Sequence, residues 1–290
     1  MMEVEQILKS VKNLEITTRR LVDGLVAGNF NSKFKGQGIE FSEIRDYRYG
    51  DDIRAIDWNV TARFNHPYIK EYIEERDLRI YVMFDFSASG NFGNIIEKKR
   101  KAIEIASALI MSAVRNSDKS GLCLFTEDVE KFIPARKGKK HALKLIRELV
   151  THTPKFYGTN LENAVNKFLK LVKKKSVVFI VSDFFSEDFE KQIGMLNRKH
   201  DLVALRVNDK REMELEDVGL IELEDEETGE QVLVDTSDKD FRNAYEKQID
   251  EEEKRLKSIF RRQGVSELRL FTDESHEIAL KRFFRSRVRA

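Results

Sequence analysis

The stretch SVVFIVSDF, residues 176–184, decides the fold class, because five consecutive apolar residues lead directly into a serine and an aspartate. A continuous apolar run of this length is typical of a parallel strand that is covered on both faces. A second run, LRIYVMFDFS at residues 78–87, ends in Asp85-Phe86-Ser87. Segments with helical spacing separate these runs, which predicts an α/β domain.

Outward from these two strands, apolar strands alternate with amphipathic helices to the end of the sequence. Further strands are predicted in GLCLF (121–125), DLVALRV (201–207) and SELRLFT (266–272). We therefore expect a doubly wound, mainly parallel sheet of Rossmann-like architecture over residues 78–290. At about residues 212–235 an acidic Glu-Glu-Thr-Gly-Glu turn between two apolar runs predicts an inserted β-hairpin.

The N-terminal quarter of the sequence does not show this alternation of strands and helices. Apolar residues at three- and four-residue spacing over residues 4–28 predict one or two amphipathic helices. From Gly36 to Arg76 no period is sustained, which indicates a region rich in loops or short strands. We therefore divide the chain into an N-terminal helical and loop-rich extension, residues 1–77, and an α/β domain, residues 78–290.

Composition excludes several classes of protein. The 290 residues hold 52 Lys and Arg against 51 Asp and Glu, which gives a net charge of +1. This charge is too small to attract the chain as a whole to nucleic acid or to an anionic membrane. A single cysteine, Cys123, cannot form an internal disulfide framework. The longest apolar runs are far shorter than the roughly 20 residues that a membrane helix needs. We expect no membrane span and a cytoplasmic location, with peripheral attachment to the inner face of the membrane through a partner as a variant.

Oxygen-bearing side chains follow two of the predicted strands and precede one predicted helix. Because ligands bind at the carboxyl ends of strands in an open α/β sheet, we expect these side chains to converge. Two carboxylates and three hydroxyls suit a hard divalent cation such as Mg²⁺, which also keeps waters or a partner's oxygen in its shell. The alternative is that the hydroxyls cap helices and the second carboxylate ends a strand at the surface. The five residues are Asp85, Ser87, Ser89, Thr159 and Asp183.

These residues carry a family resemblance. The segments DFSAS (85–89), GTNL (158–161) and VSD (181–183) resemble the metal-ion-dependent adhesion site of von Willebrand factor A domains, with every ligand position filled. Residues 36–63, GQGIEFSEIRDYRYGDDIRAIDWNVTAR, resemble the signature of the bacterial family called domain of unknown function 58. Two later segments are similar to that family as well, namely residues 219–236 and 264–287.

The resemblance implies a von Willebrand A-like fold whose five oxygen-bearing residues hold Mg²⁺, Mn²⁺ or Ca²⁺. It implies no catalytic activity, because the family has no established one. Members are commonly associated with MoxR-type AAA+ ATPases, and A domains paired with such ATPases are thought to act as metal-dependent adaptors or substrate-handling modules. The function that the resemblance implies is therefore a noncatalytic, metal-dependent protein-binding module.

The segment 36–63, called the charged segment below, holds too many charges to bury unpaired. We expect Arg–carboxylate bridges around its aromatic residues. Such a network either forms a docking face for a partner or fastens the N-terminal region internally, and the sequence favours neither. The residues of this prediction are Glu40, Arg45, Tyr47, Asp51, Asp52, Arg54, Asp57, Trp58 and Arg63.

Two other function classes stay open as alternatives. Asp85 at a strand end resembles the nucleophile of Mg²⁺-dependent phosphohydrolases and phosphotransferases, although such enzymes usually have a second Asp where Ser87 stands here. No phosphate-binding Gly-rich loop with Gly-Lys-Ser/Thr occurs, so no nucleotide cofactor is expected. Basic clusters near residues 137–140, 173–175 and 282–289 suggest nucleic-acid binding, but a solvated basic face explains them better.

Overall fold

A computed structural model describes residues 38–75, 78–87, 95–186, 188–213, 215–224 and 231–289 of the chain. The described residues form two compact units, one within Phe34–Leu78 and the other from Arg79 onward. The helices predicted over residues 4–28 lie outside the described residues. No helix in the described ranges is long and apolar enough to cross a membrane.

The smaller unit is built on a two-stranded antiparallel ladder of β1 (Gly38–Asp46) and β2 (Tyr68–Glu75). A 3₁₀ turn (Ile53–Ala55) and a short helix, α1 (Trp58–Phe64), lie in the connection between the two strands. The strands are longer than the sequence predicted. A bulge between Phe41 and Glu43 shifts the register, so the two-residue period is interrupted within β1 and is not visible as one pattern.

The larger unit is a six-stranded sheet in the order β10-β7-β6-β3-β4-β5. All neighbouring strands pair in parallel except β4 and β5, which are antiparallel. The fold-class prediction of a mainly parallel sheet is therefore confirmed. The strands are β3 (Arg79–Asp85), β4 (Lys119–Phe125), β5 (Val129–Arg136), β6 (Val177–Val181), β7 (Asp201–Asn208) and β10 (Ser266–Phe271).

Helices cover both faces of this sheet, as a doubly wound fold requires. One core packs α2 (Ile95–Arg115), α3 (Lys139–Thr151) and α7 (His276–Arg289) against the sheet. The core on the opposite face holds α4 (Leu161–Leu171), α5 (Glu190–Lys199) and α6 (Lys239–Gln263). Strands β6 and β7 lie between the two cores and are buried throughout, which explains the continuous apolar sequence of β6 and the mainly apolar sequence of β7.

Helix α4 illustrates how the sequence specifies one of these elements. Its buried residues Leu161, Ala164, Val165 and Phe168 recur at three- and four-residue spacing and form one apolar face. The side chain of Asn160 accepts a hydrogen bond from the backbone N–H of Asn163 and caps the helix. Apolar spacing and cap together fix where the helix begins.

The predicted acidic hairpin is present. Strand β8 (Leu220–Glu224) pairs antiparallel with β9 (Gln231–Asp235), with Leu220 opposite Asp235 and Glu224 opposite Gln231. The turn between the two strands lies outside the described residues. The hairpin forms a sheet separate from the six-stranded one.

Strand β5 forms one edge of the six-stranded sheet. It contains Pro134, which has no backbone N–H, and Lys131, whose ammonium lies 3.2 Å from a carboxylate oxygen of Glu148. Proline and lysine are typical of edge strands.

A charged residue lies in the interior of the sheet. Arg206 of β7 is almost fully buried, and its guanidinium donates hydrogen bonds to Glu253 of α6 at 2.5 Å and to Glu267 of β10 at 3.0 Å. Arg269 of β10 donates to the same Glu253 carboxylate at 2.7 Å. These bonds join α6 to two strands and explain how a strand of otherwise apolar character contains an arginine.

We predict that Glu253→Ala lowers the free energy of unfolding by about 3 kcal/mol or more, because it removes one partner of a buried ion pair. Urea denaturation followed by circular dichroism measures the change. Glu252→Ala is the matched control: Glu252 pairs with Arg255 at 2.7 Å on the exposed side of the same helix and should cost about 1 kcal/mol or less. Equal losses in the two variants would contradict the structural role of Glu253.

Candidate metal site

The ends of β3 and β6 bring the first polar groups together. Phe84 lies opposite Val181 in the parallel register, so Asp85 and Ser182 follow at the same edge of the sheet. The Ser182 hydroxyl donates a hydrogen bond to Asp85 Oδ2 at 2.7 Å, and the backbone N–H of Ser87 donates to Asp85 Oδ1 at 3.0 Å. Both oxygens of the Asp85 carboxylate are thus held in place. The sequence pattern alone assigned no role to Ser182.

The loop after β6 fixes the second carboxylate. The backbone N–H of Phe185 donates to Asp183 Oδ1 at 3.0 Å, and that of Phe184 donates to the Ser182 hydroxyl at 3.0 Å. Phe184 has a φ of 62°, a left-handed conformation that is unusual for an aromatic residue. Its ring is fully buried and contacts Phe189 and Phe260 edge-on or tilted, so core packing holds this backbone conformation.

A small cavity of about 50 Å³ opens between these two strand ends. A water molecule needs roughly 10–15 Å³ of such space, so the cavity is large enough for an ion or a water molecule. Polar groups from β3, β6 and α2 surround it. The cavity is lined by Phe84, Asp85, Phe86, Ser87, Lys98, Lys99, Ala102, Val181, Ser182, Asp183 and Val207.

Two charged side chains near the cavity, Lys98 and Glu212, were not predicted from the sequence. The Lys98 ammonium lies 4.0 Å from Asp183 Oδ2 and donates a hydrogen bond to Glu212 Oε1 at 2.7 Å. In the sequence, Lys98 belongs to the run KKRK (98–101), which is typical of a solvated helix face, and Glu212 belongs to an acidic stretch over 100 residues away. No local pattern predicts that they meet.

The Asp85 carboxyl group is in an environment that disfavours its charge. Burial raises the pKa of Asp85 to about 7, and the nearby negative charge of Asp183 adds to the increase. The hydrogen bonds from Ser182 and Ser87 act in the opposite direction but do not cancel the effect. A cation placed between the two carboxylates would relieve both causes of the shift.

Thr159 lies at the same edge of the sheet but does not line the cavity. It directly precedes Asn160, whose backbone N–H donates to the carbonyl of Thr126 at 3.1 Å. Thr126 follows Phe125, which lies opposite Asp85 in the register of β3 and β4. Ser89 lies outside the described residues. The structure therefore brings Asp85, Ser87 and Asp183 together, with Thr159 on a neighbouring loop.

The donor set fits a hard divalent cation. Carboxylate and hydroxyl oxygens are the ligands that Mg²⁺ and Mn²⁺ accept, and the two carboxylates lie at one cavity. Among the residues that the structure describes, no group of three or more His, Cys, Asp or Glu is placed to hold a metal. An ion here would therefore need hydroxyls, waters or a further oxygen to complete its shell.

The described contacts of the charged segment include one Arg–carboxylate pair and two helix caps. Arg45 pairs with Asp51 through two hydrogen bonds of 2.8 and 3.0 Å, which lower the pKa of Asp51 to about 2. Asp52 and Asp57, however, cap the 3₁₀ turn and α1 by accepting backbone N–H groups. Trp58 is 66% exposed, so the described residues do not enclose it. Each of these two aspartates directly precedes a short helical turn, and its carboxylate therefore accepts the first free backbone N–H groups of that turn.

The remaining residues of that prediction are distributed as follows. Tyr47 is half-buried, whereas the side chains of Arg54 and Arg63 are exposed. The side chain of Glu40 lies outside the described residues. Local caps and one Arg–Asp pair therefore account for the charges whose contacts are described.

Comparison with known proteins identifies a family. The family model described as "Protein of unknown function DUF58" matches residues 43–255. The uncharacterized protein Rv1480 of Mycobacterium tuberculosis is 30% identical over 224 residues, which cover 76% of this chain and 71% of the relative. The uncharacterized protein YeaD of Bacillus subtilis is 23% identical over 108 residues, covering 37% of this chain and 25% of the relative.

Two solved structures are similar to this chain at lower sequence identity. The conserved hypothetical protein BatB from Bacteroides thetaiotaomicron has a TM-score of 0.46 and 13% identity, covering 73% of this chain and all of the BatB structure. Proximal thread matrix protein 1 from the mussel byssus, in a structure titled "with zinc occupied MIDAS motif", has a TM-score of 0.38 and 16% identity. That match covers 46% of this chain and 38% of the mussel protein.

We predict that Asp85→Asn stabilises the metal-free protein at pH 8. A pKa above the unfolded value means that Asp85 favours folding only while protonated, so its contribution is lost as the pH rises from about 4 through 7. Because solvent partly reaches Asp85, we expect the free energy of unfolding to rise by about 2 kcal/mol at pH 8, which is less than the full pKa shift would give. Urea denaturation in EDTA measures it. The gain should vanish near pH 4, and a pH-independent difference would contradict the assignment.

Proposed function

Because the chain belongs to the DUF58 family of proteins of unknown function, whose description assigns no activity, we propose its function from the site: a metal-dependent protein-binding module. The observation that carries this proposal is the pair of carboxylates, Asp85 and Asp183, held at one small cavity at the edge of a parallel sheet. We propose Mg²⁺ as the resident ion, with Mn²⁺ or Ca²⁺ as substitutes in vitro.

The proposed role of each residue follows from its contacts. Ser182 and the Ser87 backbone orient the Asp85 carboxylate, and the Phe185 backbone orients Asp183. Ser87 contributes a further oxygen at the cavity wall. Thr159 and Ser89 are proposed as additional ligands, directly or through water. A divalent ion bound here supplies a positive centre that accepts one more oxygen from outside the chain. A carboxylate of a partner protein is the ligand that fits this position.

We propose a MoxR-type AAA+ ATPase as the partner and an adaptor or substrate-handling role for this chain. The support is the family membership and the absence of a phosphate-binding loop in the sequence, which leaves any ATP hydrolysis to a partner. An ATPase partner also favours a cytoplasmic location, where ATP is available.

We propose that the module is noncatalytic. An aspartyl-phosphate mechanism needs a general acid near the nucleophile, and the residue two positions after Asp85 is Ser87, which is a poor proton donor. Phosphoester turnover by the purified protein with Mg²⁺, lost in Asp85→Asn, would favour the enzymatic alternative instead.

The test of the proposed function is metal titration followed by partner binding. We predict that Asp85→Ala lowers Mn²⁺ affinity at least tenfold, because it removes one of the two carboxylates at the cavity. We also predict that it abolishes Mg²⁺-dependent binding to a purified MoxR-type ATPase from the same organism. Isothermal titration calorimetry measures the first effect, and biolayer interferometry with Mg²⁺ or EDTA measures the second.

Asp250→Asn is the matched control, because it removes one carboxylate from an exposed ion pair with Lys254 on α6. It should bind metal and partner like the wild type. Wild-type metal affinity in Asp85→Ala would refute the metal site, whereas metal binding without any EDTA-sensitive ATPase binding would refute the partner alone.

The charged segment offers a second surface to test. Within it Tyr49, Ile53 and Trp58 are all more than 60% exposed, as is Phe64 directly after it. Aromatic residues are enriched in protein interfaces. We propose that this surface contacts the same ATPase. Trp58→Ala should weaken ATPase binding at least about tenfold while leaving the unfolding midpoint and Mn²⁺ affinity unchanged. Unaltered ATPase binding would favour a purely structural role for the segment.

A further inference from the structure

A cationic side chain lies at the candidate metal site. Lys98 is in the first described turn of α2, and its side chain is only 8% exposed. Its ammonium lies 4.0 Å from Asp183 Oδ2 and 2.7 Å from Glu212 Oε1. Lysine is almost never buried without a charged partner, and here two carboxylates compete for one ammonium.

Glu212 is held independently of Lys98. Its Oε2 accepts hydrogen bonds from the backbone N–H of Asp209 at 3.2 Å and from the Asn208 side chain at 3.4 Å. Its backbone carbonyl accepts the Tyr245 hydroxyl of α6 at 3.0 Å. The Glu212 carboxylate is therefore fixed to the end of β7 by contacts that do not involve Lys98.

We propose that Lys98 is a tethered counter-ion that competes with the divalent cation for Asp183, and that Glu212 moderates this competition by holding the ammonium. The inference rests on the proposed metal site. A unit charge about 4 Å from a ligand oxygen, in a half-buried site, changes the binding constant of a dication by tenfold or more. The shorter contact to Glu212 shows which carboxylate holds the ammonium in the described structure.

This arrangement determines which partner chemistry the site selects. With a lysine close to Asp183, the bare ion is bound less tightly than two carboxylates alone would allow. A partner that brings its own carboxylate adds negative charge to both the ion and the ammonium, so ion and partner bind cooperatively. The partner group is thus an Asp or Glu side chain or the α-carboxylate at the end of a polypeptide.

The experiment is a Mn²⁺ titration of the 290-residue protein, in which electron paramagnetic resonance measures the free ion. Lys98→Met should tighten Mn²⁺ binding at least about tenfold, because it removes the competing charge. Glu212→Gln should weaken Mn²⁺ binding about fivefold or more, because the retained ammonium is then free to pair with Asp183. Arg100→Gln is the control, because Arg100 pairs with Glu104 on the exposed side of the same helix and should leave the affinity unchanged.

The two variants change the affinity in opposite directions, so a general loss of folding cannot imitate the result. Glutamine preserves the shape and acceptor oxygen of Glu212, which keeps the test valid if Lys98→Met fails to fold by circular dichroism. Unchanged or weaker binding in a folded Lys98→Met, or unchanged or tighter binding in Glu212→Gln, would overturn the proposal.

The outcome is separable from that of the proposed function. If Asp85→Ala abolishes Mn²⁺ binding while Lys98→Met leaves it unchanged, the metal site stands and the role of Lys98 is refuted. If Lys98→Met binds Mn²⁺ and the wild type does not, the competition between Lys98 and the cation is strong enough to prevent binding, which supports the proposal. If neither protein binds Mn²⁺, both proposals are refuted.

Discussion

The register between β3 and β6 is the constraint on which the candidate site depends. Phe84 lies opposite Val181, so the next residue on each strand, Asp85 and Ser182, meet at the edge of the sheet and share a hydrogen bond of 2.7 Å. A one-residue slip would send every side chain of a strand to the other face. The buried rows on both faces therefore specify the position of the carboxylate as firmly as they specify the core.

The candidate site holds charged side chains next to the apolar core of the sheet, and these apolar surroundings determine the chemistry of the site. Burial and the proximity of Asp183 make the ionised form of Asp85 unfavourable, whereas Lys98 and Glu212 form a compensated pair beside them. The fold keeps two carboxylates close because their loops are anchored by backbone hydrogen bonds and by the packed ring of Phe184. Rigid anchoring prevents the carboxylates from separating to relieve their repulsion.

The sequence predicted the sheet and its polar edge better than it predicted the surroundings of that edge. The runs around Phe179 and Met83 predicted buried strands of a mainly parallel sheet, whereas the order of the strands was not predicted. Lys98 and Glu212 were not predictable, because they are 114 residues apart and meet only through packing of α2 beside β7. In the charged segment, a bulge in β1 obscured the strand period, and the capping roles of Asp52 and Asp57 were not predicted.

The edge strand β5 has a consequence for the behaviour of the sheet in a crowded solution. A parallel sheet that ended in a regular apolar strand would present free N–H and C=O groups to another copy of the protein. Pro134 removes one donor from this row, and the Lys131 ammonium resists dehydration. The sheet is therefore terminated on this side, and its growth into an intermolecular aggregate is discouraged during folding and afterwards.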